Sequence, residues 1–449
     1  MSESKIITLG GDVPVLENQK AISNEIPVCA KIFMDEITNL CGDKNAHWAK
    51  TFNLCFANTL QSTVKRLEDN TTYIITGDIP AMWLRDSTAQ VRSYLVLAEK
   101  NKEIADMIAG LVERQFKCIN LDPYANAFNE ESNNAGYQDD NTKMHPHVWE
   151  RKYEVDSLCY PVQLAYLLYK STNSTSHFNE TFISGVKKIL DVFEIEQNHN
   201  NSSYTFTRDT WRAEDTLVSN GKGPDFAHTG MTWSGFRASD DACEYSYLIP
   251  SNMFAVVILD YLKEIFTEIL KDEEMSKRIV KLRDEIQDGI QKYSKIKNRV
   301  NEEIYAYEVD GKGNYIVMDD PGIPSLLSAP YIGYCNEEDE IYLNTRNTML
   351  SKENPYFYEG KFAKGIGSSH TPKDYVWPMA FAVEGLTTKD KSKKEQILNL
   401  LVECDGGTCL MHEGFHADDP NKYTREWFSW ANMLFCELVM DYFDIRVKR

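Results

Sequence analysis

The chain has 449 residues, 42% of them apolar and 26% charged, which supplies a large core and excludes a globally disordered polypeptide. Its formal net charge of −20 repels phosphate backbones and anionic lipid, so nucleic acid and membrane surfaces are not expected partners. Aromatic residues reach 12%, with 24 Tyr and 8 Trp, which serve a packed core and also offer flat faces for stacking on sugar rings.

The opening MSESKIITLGGDVPVLENQK lacks a basic stretch followed by an apolar run, so no signal peptide is expected. No run reaches 18 apolar residues, so no membrane span is expected either. Ten cysteines lie at 29, 41, 55, 118, 159, 243, 335, 404, 409 and 436, with no C-x-x-C pair. They match no zinc or disulfide framework and read as small buried hydrophobes in a reducing, cytoplasmic compartment. The sequons at Asn70, Asn173, Asn179, Asn200 and Asn201 are then chance matches in an Asn-rich chain.

In chain order, apolar residues at i, i+3, i+4 spacing predict helices over 45–68, 86–98, 101–119, 157–170, 180–195, 250–270, 273–296, 374–387, 392–404 and 425–444. Asp86-Ser87 and Thr371-Pro372 are helix-start signals for two of them. Short strands are predicted at 73–76, 203–207 and 304–308. The connecting loops, 71–86, 120–156, 204–249, 298–372 and 405–424, are dense in Trp, Asp, His and Arg. No linker-like segment divides the chain, so residues 1–449 read as one domain. Ten to twelve helices with elaborate loops at one end imply helical hairpins closed into a ring, a frame whose loops carry function.

Several segments carry chemistry. In TGDIPAMWLRDSTAQ (76–90), Arg85 and Asp86 can grip vicinal hydroxyls while Trp83 offers an apolar face; Asp86 can equally cap the following helix, and Trp83 can be core. In WSGFRASDDACEY (233–245), Asp240 and Asp241 follow Arg237. Two adjacent buried acids do not both ionise readily, so one can hold a proton as a general acid needs; a solvated turn is the plainer reading. GGTCLMHEGFHADDPNKYTREWFSWAN (406–432) contains a literal H-E-x-x-H in His412, Glu413 and His416. A zinc peptidase needs both histidines on a regular helix. Gly406-Gly407, Gly414 and Asp418-Asp419-Pro420 leave no room for that helix, so Glu413 reads as a loop carboxylate suited to activating water. His145, His147 and Glu150 read as a turn and cap in preference to a metal site. In KGIGSSHTPKDYVWP (364–378), His370 near a helix start can cap it or meet a polar ligand.

These stretches, with PSLLSAPYIGY (324–334) and NPYFYEGKFAKGIGSSHTPKDYVWP (354–378), resemble glycoside hydrolase family 125, the exo-acting α-1,6-mannosidases, over roughly residues 45–440. Ala238 departs from the family pattern, where Pro is expected, and leaves a freer backbone before Asp240. The resemblance implies a mainly α (α/α)6 toroid with minor β. It also implies a metal-independent, cofactor-free inverting mechanism on a mannose-containing oligosaccharide. Under it, Asp240 is the general acid, its proton retained through Asp241 and partial burial, and Glu413 is the general base. Their carboxyls would lie about 6.5–9.5 Å apart with a water between. Trp83, Arg85, Asp86, Arg237, Asp241, His370 and His412 are then the residues expected to bind the terminal mannose. The competing readings are a zinc peptidase through His412, Glu413 and His416, a non-catalytic sugar-binding protein using the same aromatic cleft, and another sugar specificity on the same toroid, a glucosidase above all.

Overall fold

A computed structural model of the chain describes residues 22–449. The N-terminal stretch read for a signal peptide lies outside the described residues.

Helices alternate in the chain between an outer and an inner layer. Ala46–Ser62, Lys102–Leu121, Glu180–Glu196, Glu273–Tyr293, Glu340–Met349 and Lys391–Glu403 form the outer layer. Leu84–Arg92, Val155–Thr172, Ile249–Glu264, Ala329–Ile332, Pro378–Leu386 and Ser429–Tyr442 form the inner layer. Sequence composition explains the split. Outer helices bury one stripe, as Glu273–Tyr293 does through Met275, Ile279, Leu282, Ile286 and Ile290. Inner helices are enclosed nearly all round: Val155–Thr172 and Ile249–Glu264 bury residues on every face. Ser429–Tyr442 packs on Leu84–Arg92, which packs on Val155–Thr172, which packs on Ile249–Glu264. The result is the (α/α) toroid implied by the resemblance, mainly helical with small two- and three-stranded sheets.

Because every inner helix follows an outer one, all inner N-termini emerge at the same end of the ring. The loops that enter them therefore converge there. Two three-stranded sheets stiffen these loops: Met82–Trp83 with Ala127–Phe128 and Val148–Glu150, and Tyr375–Val376 with Gly414–His416 and Asp419–Thr424. Gly77 (φ +136°) bridges to Phe428, and a Cβ there would sit 2.9 Å from the Trp427 carbonyl, so only glycine permits that approach.

Several sequence-predicted bounds shift. The first predicted helix stops at Ser62, because Val64–Arg66 leaves to pair with Thr72–Ile74. The 374–387 helix begins only at Pro378, since Tyr375–Val376 joins the sheet beside Glu413; His370 therefore lies in a loop, away from any helix start. The 250–270 helix ends in a π-helical turn over Ile265–Ile269. The predicted 203–207 strand reduces to one bridge, Asn141 to Thr207. The ten cysteines form no disulfide, and eight are buried. No helix among the described residues is long and apolar enough to cross a membrane.

Candidate active site

The converging loops enclose a cleft with about 410 Å³ of empty space, lined by Trp83, Arg85, Asp86, Asp240, His370, Trp377, Glu413, Arg425, Phe428 and Trp430 among others. A larger cavity, about 860 Å³, lies between the Ile249–Glu264 and Glu273–Tyr293 helices around Tyr261, Arg283 and Tyr334. The smaller one is the candidate site, because there Asp86, Asp240 and Glu413 meet Arg85, His370 and Arg425 between walls of tryptophan and phenylalanine.

Arg85 organises one wall. Its guanidinium is 3% exposed and donates to Glu154 Oε2 (2.6 Å), Asp156 Oδ2 (3.2 Å) and Asp240 Oδ1 (2.8 Å), with Asp86 Oδ2 3.6 Å from Nε. Asp86 and Asp156 sit in the first turns of inner helices, where the helix dipole favours negative charge. Four carboxylates around one guanidinium leave an excess of negative charge in a site shielded from water, and such a cluster retains protons. Burial first, then neighbouring Asp240 and Asp156, push Glu154 well above the usual carboxylate range against the pull of Arg85. Burial likewise pushes Asp86 up to about 6, with Arg85 opposing. The shift at Glu154 runs opposite to that at Asp240, so of the two carboxyls Glu154 is the one whose surroundings favour a proton. Burial acts to raise Asp240, but Arg85, the Glu154 hydrogen bond, Lys152 and His370 bring its carboxyl below the usual range.

Asp240 is held in a tight turn, with Arg237 N–H donating to the Asp241 carbonyl (2.8 Å) and Asp240 N–H to the Arg237 carbonyl (2.9 Å). Its φ of +67° is strained for a non-glycine residue, and Lys152 Nζ clamps its carbonyl (2.8 Å). Successive residues in the turn point opposite ways, so Asp241 does not share the proton of Asp240: Glu154 takes the part expected of it. Asp241 is fully buried and instead accepts from Ser369 Oγ (2.5 Å), with His370 Nδ1 at 3.0 Å and Arg212 at 3.3 Å.

Glu413 stands on the other wall, at the edge of the Gly414–His416 strand, with its N–H donating to the Thr424 carbonyl (3.3 Å). Arg425 Nη1 lies 3.5 Å from its carboxylate and is itself anchored on Asp78 (2.5 Å). His370 is the second cation: burial works against its charge, but the Asp241 hydrogen bond and the charges of Asp241, Glu413 and Asp240 raise it to about 9.

Of the residues expected to meet substrate, Trp83, Arg85, Asp86 and His370 line the cleft, together with Asp240 and Glu413. Arg237, Asp241 and His412 are placed behind it. Arg237 is 2% exposed and bonds Glu308 (2.6 Å). His412 stacks on Tyr423 (3.7 Å between centroids), its ring nitrogens facing the carbonyls of Glu426 (3.1 Å) and Asp405 (3.0 Å). The zinc-peptidase reading fails on the same geometry: residues 414–416 form a strand, and Glu413 and His412 point to different surroundings. Glu150 is likewise engaged by Arg208 (2.8 Å), as a structural residue.

Sequence reasoning passed over Glu154, Asp156, Asp78 and Arg425. Glu154 and Asp156 stand two apart immediately before and within an inner helix, a pattern equivalent to Arg85-Asp86, and that was the available signal. Arg425 carried none, since its pairing with Glu413 spans a β-turn whose register only the sheet defines.

The family model for the metal-independent alpha-mannosidases, GH125, matches residues 45–440. The chain belongs to that family. This mannosidase is 36% identical over 416 residues to the meiotically up-regulated gene 157 protein of Schizosaccharomyces pombe, covering 88% of this chain and 82% of the relative. It also superposes, at a TM-score of 0.92 and 56% identity, on a Streptococcus pneumoniae metal-independent alpha mannosidase solved in a non-productive complex with alpha-1,6-mannobiose; 93% of this chain and 99% of that one are covered. A bacterial glucoamylase solved with acarbose shares the fold at a TM-score of 0.59 with 10% identity, over 93% of this chain and 58% of that one.

Proposed function

We propose that this alpha-mannosidase releases the non-reducing terminal mannose of α-1,6-linked mannosides by single displacement with inversion, Asp240 acting as general acid and Glu413 as general base. One observation carries the reading: the two carboxylates enter one small cleft from separate loops, Asp240 within the carboxylate cluster around Arg85 and Glu413 beside Arg425. The Streptococcus pneumoniae relative's mannobiose complex supports the linkage.

In the proposed reaction the glycosidic oxygen lies against Asp240. The proton held on Glu154 passes to Asp240, which delivers it to the departing oxygen, so that Glu154 ends the step ionised. Glu413, on the other face of the ring, removes a proton from the attacking water, and the sugar passes through an oxocarbenium-like transition state. Arg85, Asp86 and His370 supply donors and acceptors for the mannose hydroxyls, and Trp83, Trp377, Phe428 and Trp430 supply apolar walls. The cleft is closed behind by the inner helices, which suits a chain end and hence exo action. No protein group in this scheme requires a metal or cofactor. We read residues 1–449 as one catalytic domain and place it in the cytoplasm, a reading supported by ten cysteines that remain free thiols.

Incubation with α-1,6-mannobiose, with proton NMR following the first anomer to appear, tests the proposal. Initial β-mannose is expected; initial α-mannose would remove the assigned mechanism, and no release would remove the linkage.

A further inference from the structure

His47, Asp405 and Cys409 meet on the rim of the toroid, apart from the cleft lining. His47 lies in the first turn of the Ala46–Ser62 helix; Asp405 and Cys409 lie in the loop after Lys391–Glu403. Positive φ at Gly406 (+57°), Gly407 (+81°) and Cys409 (+58°) folds that loop back, so one donor atom from each of the three side chains falls within 4.8 Å of the others. The carboxylate provides an independent pointer. Asp405 is 5% exposed; its Oδ1 accepts from Gly407 N–H (2.7 Å), but Oδ2 is buried with no hydrogen-bond partner. Such an orphaned carboxylate oxygen is costly in a folded protein, and His47 Nε2 stands off at 3.5 Å. Cys409 is 4% exposed, whereas the His47 side chain is half exposed and opens the cluster to solvent.

We propose that this cluster binds one divalent cation of the zinc class. A thiolate, an imidazole nitrogen and a carboxylate oxygen match a borderline-soft ion; calcium and magnesium prefer sets made of oxygen. On binding, the Cys409 thiol releases its proton to solvent as the sulfur–metal bond forms, neutral His47 binds through Nε2, and Asp405 Oδ2 gains its missing partner. Solvent completes a tetrahedron from the open side. The ion takes no part in glycoside hydrolysis. It ties the 405–409 loop to an outer helix, and the Asp405 carbonyl in turn meets His412 Nε2 (3.0 Å), the residue before Glu413. The site therefore stiffens the segment that carries the base and is independent of the reaction proposed for the cleft.

The full-length enzyme, stripped with a chelator, is titrated with Co²⁺ and then competed with Zn²⁺. One equivalent of Co²⁺ is expected to give tetrahedral visible bands and a near-ultraviolet thiolate-to-cobalt band, both abolished by Zn²⁺. Cys409→Ser should lose the thiolate band, and His47→Gln, on an exposed side chain that folding does not need, should weaken binding at least tenfold. Cys335→Ser should leave the spectrum unchanged. Zinc at a hundredfold excess over its Kd should raise the thermal midpoint by about 3 °C in the wild type and not in His47→Gln. An octahedral spectrum without a thiolate band, or binding that His47→Gln leaves intact, would overturn the proposal.

Discussion

On one wall of the cleft, Asp86, Glu154, Asp156 and Asp240 crowd around a single guanidinium, that of Arg85. On the other, Glu413 faces Arg425, with the cationic His370 close enough to respond to its charge. Both walls are built from carboxylates and cations on loops that lead into inner helices. They differ in the ratio of the two. Where carboxylates crowd together in a buried space, proton affinity rises, as it does at Glu154 and Asp86. In the proposed mechanism one fold would thus supply an acid and a base at the same pH without altering the chemistry of either side chain.

The contrast is tested most severely by removing each carboxylate. Asp240→Asn and Glu413→Gln should each lower kcat on α-1,6-mannobiose by about 10²–10⁴-fold while ligand affinity persists, which a non-catalytic sugar binder could not show. Assay of a dinitrophenyl mannoside, whose leaving group needs no proton, separates the walls: activity should recover in Asp240→Asn and stay low in Glu413→Gln. Equal recovery in both would reverse the assignment. Next in size is Glu154→Gln. It removes the stored proton, so kcat should fall about tenfold or more, and the basic limb of the pH–rate profile should move to lower pH. A structural role alone would lower activity without moving the limb. Arg425→Gln should cost less, about tenfold in kcat, because it removes one of two cations that face Glu413.

The smallest effect concerns stability. His370 rises from an ordinary 6.5 to about 9 in the folded protein, so its protonation favours the folded state. That contribution is complete below about pH 6.5, fades as pH rises, and is gone above about 9. Urea midpoints measured across this range should fall more steeply for the wild type than for His370→Gln; parallel curves would remove the Asp241–His370–Glu413 coupling.

The amphipathic helices were legible because their burial repeats along the chain. Even the unassigned Val28–Cys41 helix shows it, with Ala30, Phe33, Ile37 and Cys41 buried at three- and four-residue intervals. Glu340–Met349 escaped notice because its buried face is Tyr342, Thr345, Thr348 and Met349, half of it threonine. Ala329–Ile332, a single inner turn, is too short to show any period. In the site, the segments around Arg85-Asp86, Asp240 and Glu413 were legible as dense clusters of polar and aromatic residues. Their directions were not. Asp240 and Asp241 are adjacent letters, yet one faces the cleft and the other is buried against His370 and Arg212.

By itself, then, the amino-acid order determined the helical frame and the loop segments rich in polar and aromatic residues, since these follow from periodicity and from local runs of residue types. Tertiary structure alone decided that Glu154 and Asp240 share the Arg85 guanidinium, that Arg425 faces Glu413, and that Arg237, Asp241 and His412 stand behind the cleft lining. Proton affinity depends on distances and burial among groups 69 to 155 residues apart, as in the contacts of Arg85 with Glu154 and Asp240, and only closure of the ring sets those distances.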